Sequence, residues 1–369
     1  MAQELDKWIE TELTPKERVT RAMEGKPLDR PAAVNPTSNI NVDLMNLTNS
    51  PFPEAHRNPE TMTNLAEAGH TILGFDTIMP VFSIIAESVA LGIPVDWMEK
   101  DNWATCRGVL CHAPEDLKFP KDWIKNETAV AVLDCLKELK RRHPEVYIIG
   151  KTMGPWTMGY HWFGTENFLL MSYDDPDATL KALHIMKETT IEFGLAQMEA
   201  GADALTVPDH ATGDLVSGEY YHKFLYDLHC ELSEAIPIPL IMHICGRTVD
   251  RMGWIGETGF ASFHFDSKNL PNESVEAIGD AKKLIGNINN PTVLFTRGPE
   301  FAYAEAVRAM NAGVRCIGPE CAVPLIAPTE NLKAIGQAVR DYPTLSEAKR
   351  AEWEAMAPEY DIMGTVIEK

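Results

Sequence analysis

Short apolar runs of strand length alternate with longer amphipathic stretches along the whole chain. Eight runs read as strands, at 32–35, 76–81, 146–151, 204–208, 239–243, 262–266, 283–287 and 313–318. Each is followed by Gly, Pro, Asn or Asp and then by a helical stretch. Before the first four come 15–24, 59–73, 129–142 and 176–200, the last with its apolar residues recurring at helical spacing. Strands separated by helices pair in parallel. Eight such units predict an α/β fold of the closed (β/α)8 TIM-barrel type rather than an open sheet. No Gly-x-Gly-x-x-Gly turn follows any of these runs, which removes the simplest argument for a dinucleotide fold. The segment from about Glu87 to Asn126 is long for a connection and carries Trp97, Trp103, Cys106 and Cys111. It is expected to form a hairpin or lid beside the barrel mouth. Residues 1–30 are expected to form an N-terminal helical extension, and 1–369 reads as one domain without repeats, low-complexity tracts or linkers.

In such a barrel the residues that do chemistry sit where strands end, on the C-terminal face. Asp209 and His210 close the fourth run, His243 and Cys245 the fifth, and Asp266 the sixth. Asn287 and Asn289 close the seventh, Glu320 and Cys321 the eighth. His243 and Cys245 stand two residues apart at a strand end, so their side chains point the same way. Cys321 can complete a His/Cys/Cys set from another strand end; Cys316 competes for that place but lies inside its strand. Three ligands of this kind suit one zinc ion with a fourth position open, as in a catalytic site that binds and activates a substrate thiol. The plainer reading makes His243 a core histidine and Cys245 a small buried hydrophobe. Asp266 is a candidate catalytic residue, as an acid beside the ligands or a displaceable fourth ligand; its plainer reading is a helix cap ahead of Ser267.

Charge and cysteine usage narrow the classes. A net charge of −21 argues against nucleic-acid binding over a broad surface. No apolar run reaches the roughly 18 residues that suggest a membrane span. The polar, acidic opening Met1-Ala2-Gln3-Glu4 lacks the pattern of a signal peptide. Seven cysteines, an odd number without framework spacing, fit a reducing cytoplasm where thiolates serve as ligands or packing.

Several segments resemble the uroporphyrinogen decarboxylase superfamily. These are Leu13-Thr14-Pro15-Lys16-Glu17-Arg18 through Leu28-Asp29-Arg30-Pro31, Gly154-Pro155-Trp156-Thr157-Met158, and Pro328-Thr329-Glu330-Asn331-Leu332. The resemblance implies a distorted barrel with its site at the C-terminal mouth. Departures select a branch. Where the decarboxylases carry arginines that hold porphyrin carboxylates, this chain has Asn35-Pro36-Thr37-Ser38-Asn39. Their aspartate after Phe-Ser is absent, since Ile84 and Ile85 follow Phe82-Ser83. His243, Cys245 and Cys321 instead resemble the signature of the zinc-dependent methylcobamide:coenzyme M methyltransferases.

That resemblance implies one Zn2+ per chain, a methyl donor (methylcobalamin) carried on a small corrinoid protein, and coenzyme M (2-mercaptoethanesulfonate) as acceptor. Zinc would hold the thiol as thiolate, and the sulfur would displace cob(I)alamin from the methyl group. For the sulfonate, Arg247 is the expected partner, with Asn287 a further substrate contact; a surface salt bridge is the alternative for the arginine. Trp156, Tyr160, Trp162 and Phe163 are expected either to line the mouth or to pack beneath the loop after the third strand. Homocysteine as acceptor, a decarboxylase-like lyase and a non-catalytic barrel that docks a corrinoid protein are the competing readings.

Overall fold

A computed structural model describes residues 8–81, 83, 85–361 and 366–367. Phe82 and Ile84, which carry one of the departures noted above, and the opening Met1-Ala2-Gln3-Glu4 lie outside the described residues. The barrel strands are β1 (Ala32–Ala33), β2 (Thr77–Ile78), β5 (Tyr147–Lys151), β6 (Ala204–Pro208), β7 (Leu240–Ile244), β8 (Ser262–Phe265), β9 (Leu284–Ile285) and β10 (Cys316–Ile317). Every one falls within a predicted run or overlaps it. They form one parallel sheet in the order β1-β10-β9-β8-β7-β6-β5-β2. The seam between its end strands is closed by Asp76: its N–H donates to the Ala33 carbonyl at 2.8 Å and its Oδ2 accepts from the Ala33 N–H at 2.8 Å. The result is a (β/α)8 barrel.

Two short antiparallel pairs lie outside the barrel. In the stretch marked as an insertion, β3 (Val95–Asp96) pairs with β4 (Thr105–Cys106). Near the C-terminus β11 (Glu359–Tyr360) pairs with β12 (Val366–Ile367). The N–H groups of Leu110 and Cys111 both donate to the Trp162 carbonyl, which ties the first hairpin's exit to the helix Pro155–Phe163 at the end of β5.

Strand alternation divides the barrel interior into layers. Low in it, Ala32, Met79, Tyr147, Ile149, Ala204, Ile241, Ile285 and Cys316 form an apolar cluster separate from the larger one under the outer helices. The N-terminal helix Pro15–Glu24, started by a Thr14/Glu17 capping box, seals this end. Its Val19, Ala22 and Met23 join the cluster, and its Lys16 N–H donates to Glu145 just ahead of β5. One end is therefore filled mainly with hydrocarbon, beside which Arg18 pairs with Asp29 and Asp76 and Arg30 with Asp76, and the candidate site residues lie at the other. Among the described residues no helix is long and apolar enough to cross a membrane.

Beside the first hairpin, His56 stacks on Phe52 at 4.0 Å between ring centroids and borders Trp97 and Trp103. Neither of its ring nitrogens has a hydrogen-bond partner. Burial pushes its pKa from 6.5 down to about 4. Below pH 6.5 the unfolded chain therefore binds a proton here that the folded chain refuses, and stability falls with pH until about 4. The loss through this one group is on the order of 3 kcal/mol. Denaturant unfolding at stepped pH should show it, and His56→Phe should flatten that part of the slope; an unchanged slope would place the proton elsewhere.

Candidate metal centre

His243 lies one residue from the end of β7, buried at 4% exposure, and Cys245 follows just beyond the strand. Gly246 then turns the chain at φ +80°, where a Cβ would come within 2.2 Å of Thr212 Oγ1. The sharp turn and the close approach leave room for glycine only. Cys321 arrives from the loop after β10. His243 Nε2 lies 3.1 Å from Cys245 Sγ, the two sulfurs are 3.1 Å apart, and Cys321 Sγ lies 3.4 Å from His243 Nε2. These three residues are the one set of at least three candidate metal ligands that converge among the described residues. Around a tetrahedral zinc with bonds of roughly 2.3 Å to sulfur and 2.0 Å to nitrogen, such donors stand about 3.5–3.8 Å apart. The observed triangle reaches that spacing with a small expansion, so the donor set fits the ion.

The ligands are held from behind. His243 Nδ1 is 3.3 Å from the His264 carbonyl, and a proton shared there leaves Nε2 as the lone pair beside the thiols. The His264 ring lies against the His243 ring at 4.6 Å between centroids, and its Nε2 contacts the Pro319 carbonyl at 2.7 Å. His264 thus couples the β7 ligand to the loop that carries Cys321. On the same loop Glu320 accepts from the Ser267 and Asn290 N–H groups at 2.9 and 2.7 Å. Burial pushes its carboxyl well above the usual range, with the nearby Asp266 charge adding. Of the two thiols, Cys321 is held well below its ordinary value, first by the hydrogen bond from Cys245 and then by His243. Cys245 is pushed well above, by that same contact and by burial.

The remaining predicted residues divide. Asp266, expected to be catalytic, accepts the Gly246 N–H on Oδ2 at 2.7 Å and the Lys268 N–H on Oδ1 at 2.9 Å. Oδ2 holds the ligand turn and Oδ1 the start of its own loop after β8, and Asp266 stands outside the three-residue donor cluster. Asn287, expected to bind substrate, is buried and donates its amide to the carbonyls of Asn269 and Asp266. It braces the loop after β8 that carries Asp266. Trp156 is 1% exposed, packs on Phe168 and Phe224, and donates to the Tyr160 hydroxyl at 2.6 Å. Trp162 and Phe163 are buried as well, so packing beneath the loop is the outcome for these three. Tyr160 is half-buried, its hydroxyl pushed up to about 12 by burial. Arg247 is exposed, two residues beyond Cys245. No cation stands in the loop after β1, where buried Asn35, Thr37 and Ser38 hold the turn.

Sequence reasoning passed over His264 and the buried pair Lys151–Glu87. Lys151, at the end of β5, donates to Glu87 and to the Ser83 carbonyl, while Glu87 accepts the Met153 N–H at 2.7 Å. Burial lowers the lysine's pKa and raises the glutamate's. The signal for His264 was its place in a predicted strand, in register with His243.

The chain resembles several known proteins along most of its length. The methylcobamide:CoM methyltransferase MtaA of Methanosarcina barkeri is 29% identical over 338 residues, covering 90% of this chain and 99% of its own. A methylated-thiol–coenzyme M methyltransferase of Methanosarcina mazei is 28% identical over 335 residues, covering 90% of this chain and 91% of its own. A solved methyltransferase from Methanosarcina mazei superposes with a TM-score of 0.85 at 27% identity, covering 90% of this chain and 99% of that one. A B12-independent methionine synthase from Shewanella shares the fold alone, with a TM-score of 0.52 at 12% identity. The family model for uroporphyrinogen decarboxylase (URO-D) matches residues 14–342, and the chain belongs to that family.

Proposed function

We propose that the protein is a methyltransferase that moves a methyl group from a methylated corrinoid protein to the thiol of coenzyme M. In this reading His243, Cys245 and Cys321 hold one zinc ion. The observation that carries the proposal is the convergence of one imidazole and two thiols at the barrel mouth, at mutual distances of 3.1 to 3.4 Å. The names and coverage of the Methanosarcina relatives support it.

Zinc, when bound, supplies the Lewis acidity that keeps an added thiol as its thiolate at neutral pH. The chain's own residues do the rest. His264 and Glu320 fix the two ligand arms relative to each other, and Asp266 holds the Gly246 turn between the ligand pair and Arg247. The acceptor's sulfur attacks the methyl carbon in line; the cobalt–carbon bond breaks and its electron pair stays on cobalt. Held orientation of this sort contributes several kcal/mol to such displacements.

A corrinoid is bulky and comes on a carrier, so the mouth has to receive a protein. Leu215 after β6, Leu270 after β8 and Ile326 after β10 are exposed apolar side chains on loops at strand ends, at 42 to 58%, and would be among the groups the carrier meets. The absent arginines after β1 speak against a substrate with many carboxylates, as does the net charge of −21.

Cys245→Ala or Cys321→Ala should remove bound zinc and abolish coenzyme M methylation while circular dichroism stays that of the folded barrel. The ligands stand at the rim, outside the apolar layers that support the fold. Wild-type demethylation of methylcobalamin by either variant, followed by its visible absorbance, would refute the ligand assignment. For the sulfonate, Arg247→Ala should lower kcat/KM for coenzyme M relative to uncharged mercaptoethanol by about ten- to a hundredfold, the value of a charge-assisted hydrogen bond of about 1.5–3 kcal/mol. An unchanged ratio would remove the arginine from acceptor recognition.

A further inference from the structure

A cleft of about 700 Å3 opens where the loops after β6, β7 and β8 meet the C-terminal hairpin. It adjoins the metal donors along the chain, since Arg247 and Thr248 follow Cys245 and Ser267 follows Asp266. Thr248 is fully buried and heads the helix Val249–Glu257. A threonine in that position normally accepts a hydrogen bond from the second or third amide of its helix. Here it makes no such bond, and its Oγ1 has no partner at all. Its own N–H is taken by Asn269 Oδ1 at 2.8 Å, which fixes the residue in place. A buried hydroxyl and the positive end of a helix dipole are thus both present at the cleft without an anion.

Charge says what kind of ligand fits. The cations lining the cleft are Arg247 and Lys268, the latter 2.8 Å from Asp214. Asp250, also in the lining, is engaged by Arg251 through both carboxylate oxygens at 2.9 Å. Glu273 and Asp361 add two further carboxylates. With Asp214, Asp250, Glu273 and Asp361 in the lining against two cations, a ligand with several negative charges is repelled most strongly, and one with a single oxyanion least.

The wall built by Tyr360 and Asp361 comes from a segment beyond residue 342, where the family match ends. It is anchored: the Tyr360 hydroxyl donates to Glu305, its ring lies 5.6 Å from the Arg308 guanidinium, and Arg308 donates to the Pro358 carbonyl at 2.5 Å.

We propose that this cleft holds the single oxyanion of the methyl acceptor. The Thr248 hydroxyl and the first amides of its helix act as donors, Lys268 assists Arg247, and Tyr360 limits the length of the acceptor. The identity of the ligand as a thiol rests on the proposed function; the anion site itself does not. Calorimetric titration with ethanesulfonate, the acceptor skeleton without its thiol, separates the two. Wild-type protein should bind it, Thr248→Val should weaken binding about tenfold or more, and Thr248→Ser should restore it. Tyr360→Ala should raise kcat/KM for 3-mercaptopropanesulfonate relative to coenzyme M. Ethanesulfonate affinity that is absent, or indifferent to Thr248→Val and Lys268→Ala, overturns the assignment even if coenzyme M is methylated. Thr248-dependent ethanesulfonate binding by a protein that methylates no thiol would uphold the site and defeat the methyl-transfer reading instead.

Discussion

The parallel register of β7 with β8 sets His243 opposite His264, and two residues further on the same alternation brings Cys245 to the level of Asp266. In one step this pairing supplies a ligand, the ring that backs it, a second ligand and the carboxylate that holds the turn. A slip of one residue in β7 would turn His243 and Cys245 to the opposite face and away from His264 and Asp266. Cys321 depends on the same register at one remove, because the His264 imidazole reaches the Pro319 carbonyl. The two ligand arms, 76 residues apart in sequence between Cys245 and Cys321, are thereby tied by a single histidine lying between their strands.

Asymmetry between the barrel's two ends follows from what fills them. The Pro15–Glu24 helix and the inward aliphatic side chains close one end, where the charged groups are consumed by one another: Arg18 pairs with Asp29 and Asp76, and Arg30 with Asp76. At the other, buried carboxylates do structural work: Asp266 and Glu320 accept backbone N–H groups, and Asp209 accepts the Thr157 N–H at 2.8 Å and contacts His229 at 2.9 Å. Burying these acids is tolerable because each is hydrogen-bonded. Their charge also explains why an anionic acceptor needs a local solution. In a chain of net charge −21, the proposed oxyanion site draws on a helix N-terminus, Arg247 and Lys268, the last of these already paired with Asp214.

Much of this was legible in the sequence. Apolar periodicity located the eight strands, and strand ends located His243, Cys245 and Cys321, because alternation and barrel geometry are properties of short segments. Partners contributed by other strands were not legible. Asp266 and Asn287 look like catalytic side chains when only their place on the rim is known; the backbone groups that occupy them belong to Gly246, Lys268 and Asn269. Trp156 looks like a mouth residue until the helix Thr165–Asp174 brings Phe168 against it. Thr248 carried no signal in the sequence, and only the three-dimensional structure shows a buried hydroxyl at a helix start that caps nothing.

The central claim is that three side chains form a single thiolate-rich metal centre that takes the acceptor's sulfur as its next ligand. Zinc K-edge X-ray absorption of the purified protein, with and without coenzyme M, tests it most directly. The account predicts two sulfur scatterers near roughly 2.3 Å and one imidazole nitrogen near roughly 2.0 Å, rising to three sulfurs on addition of the thiol. A sulfur count that stays at two when coenzyme M saturates the protein, or a zinc shell without sulfur, would contradict it.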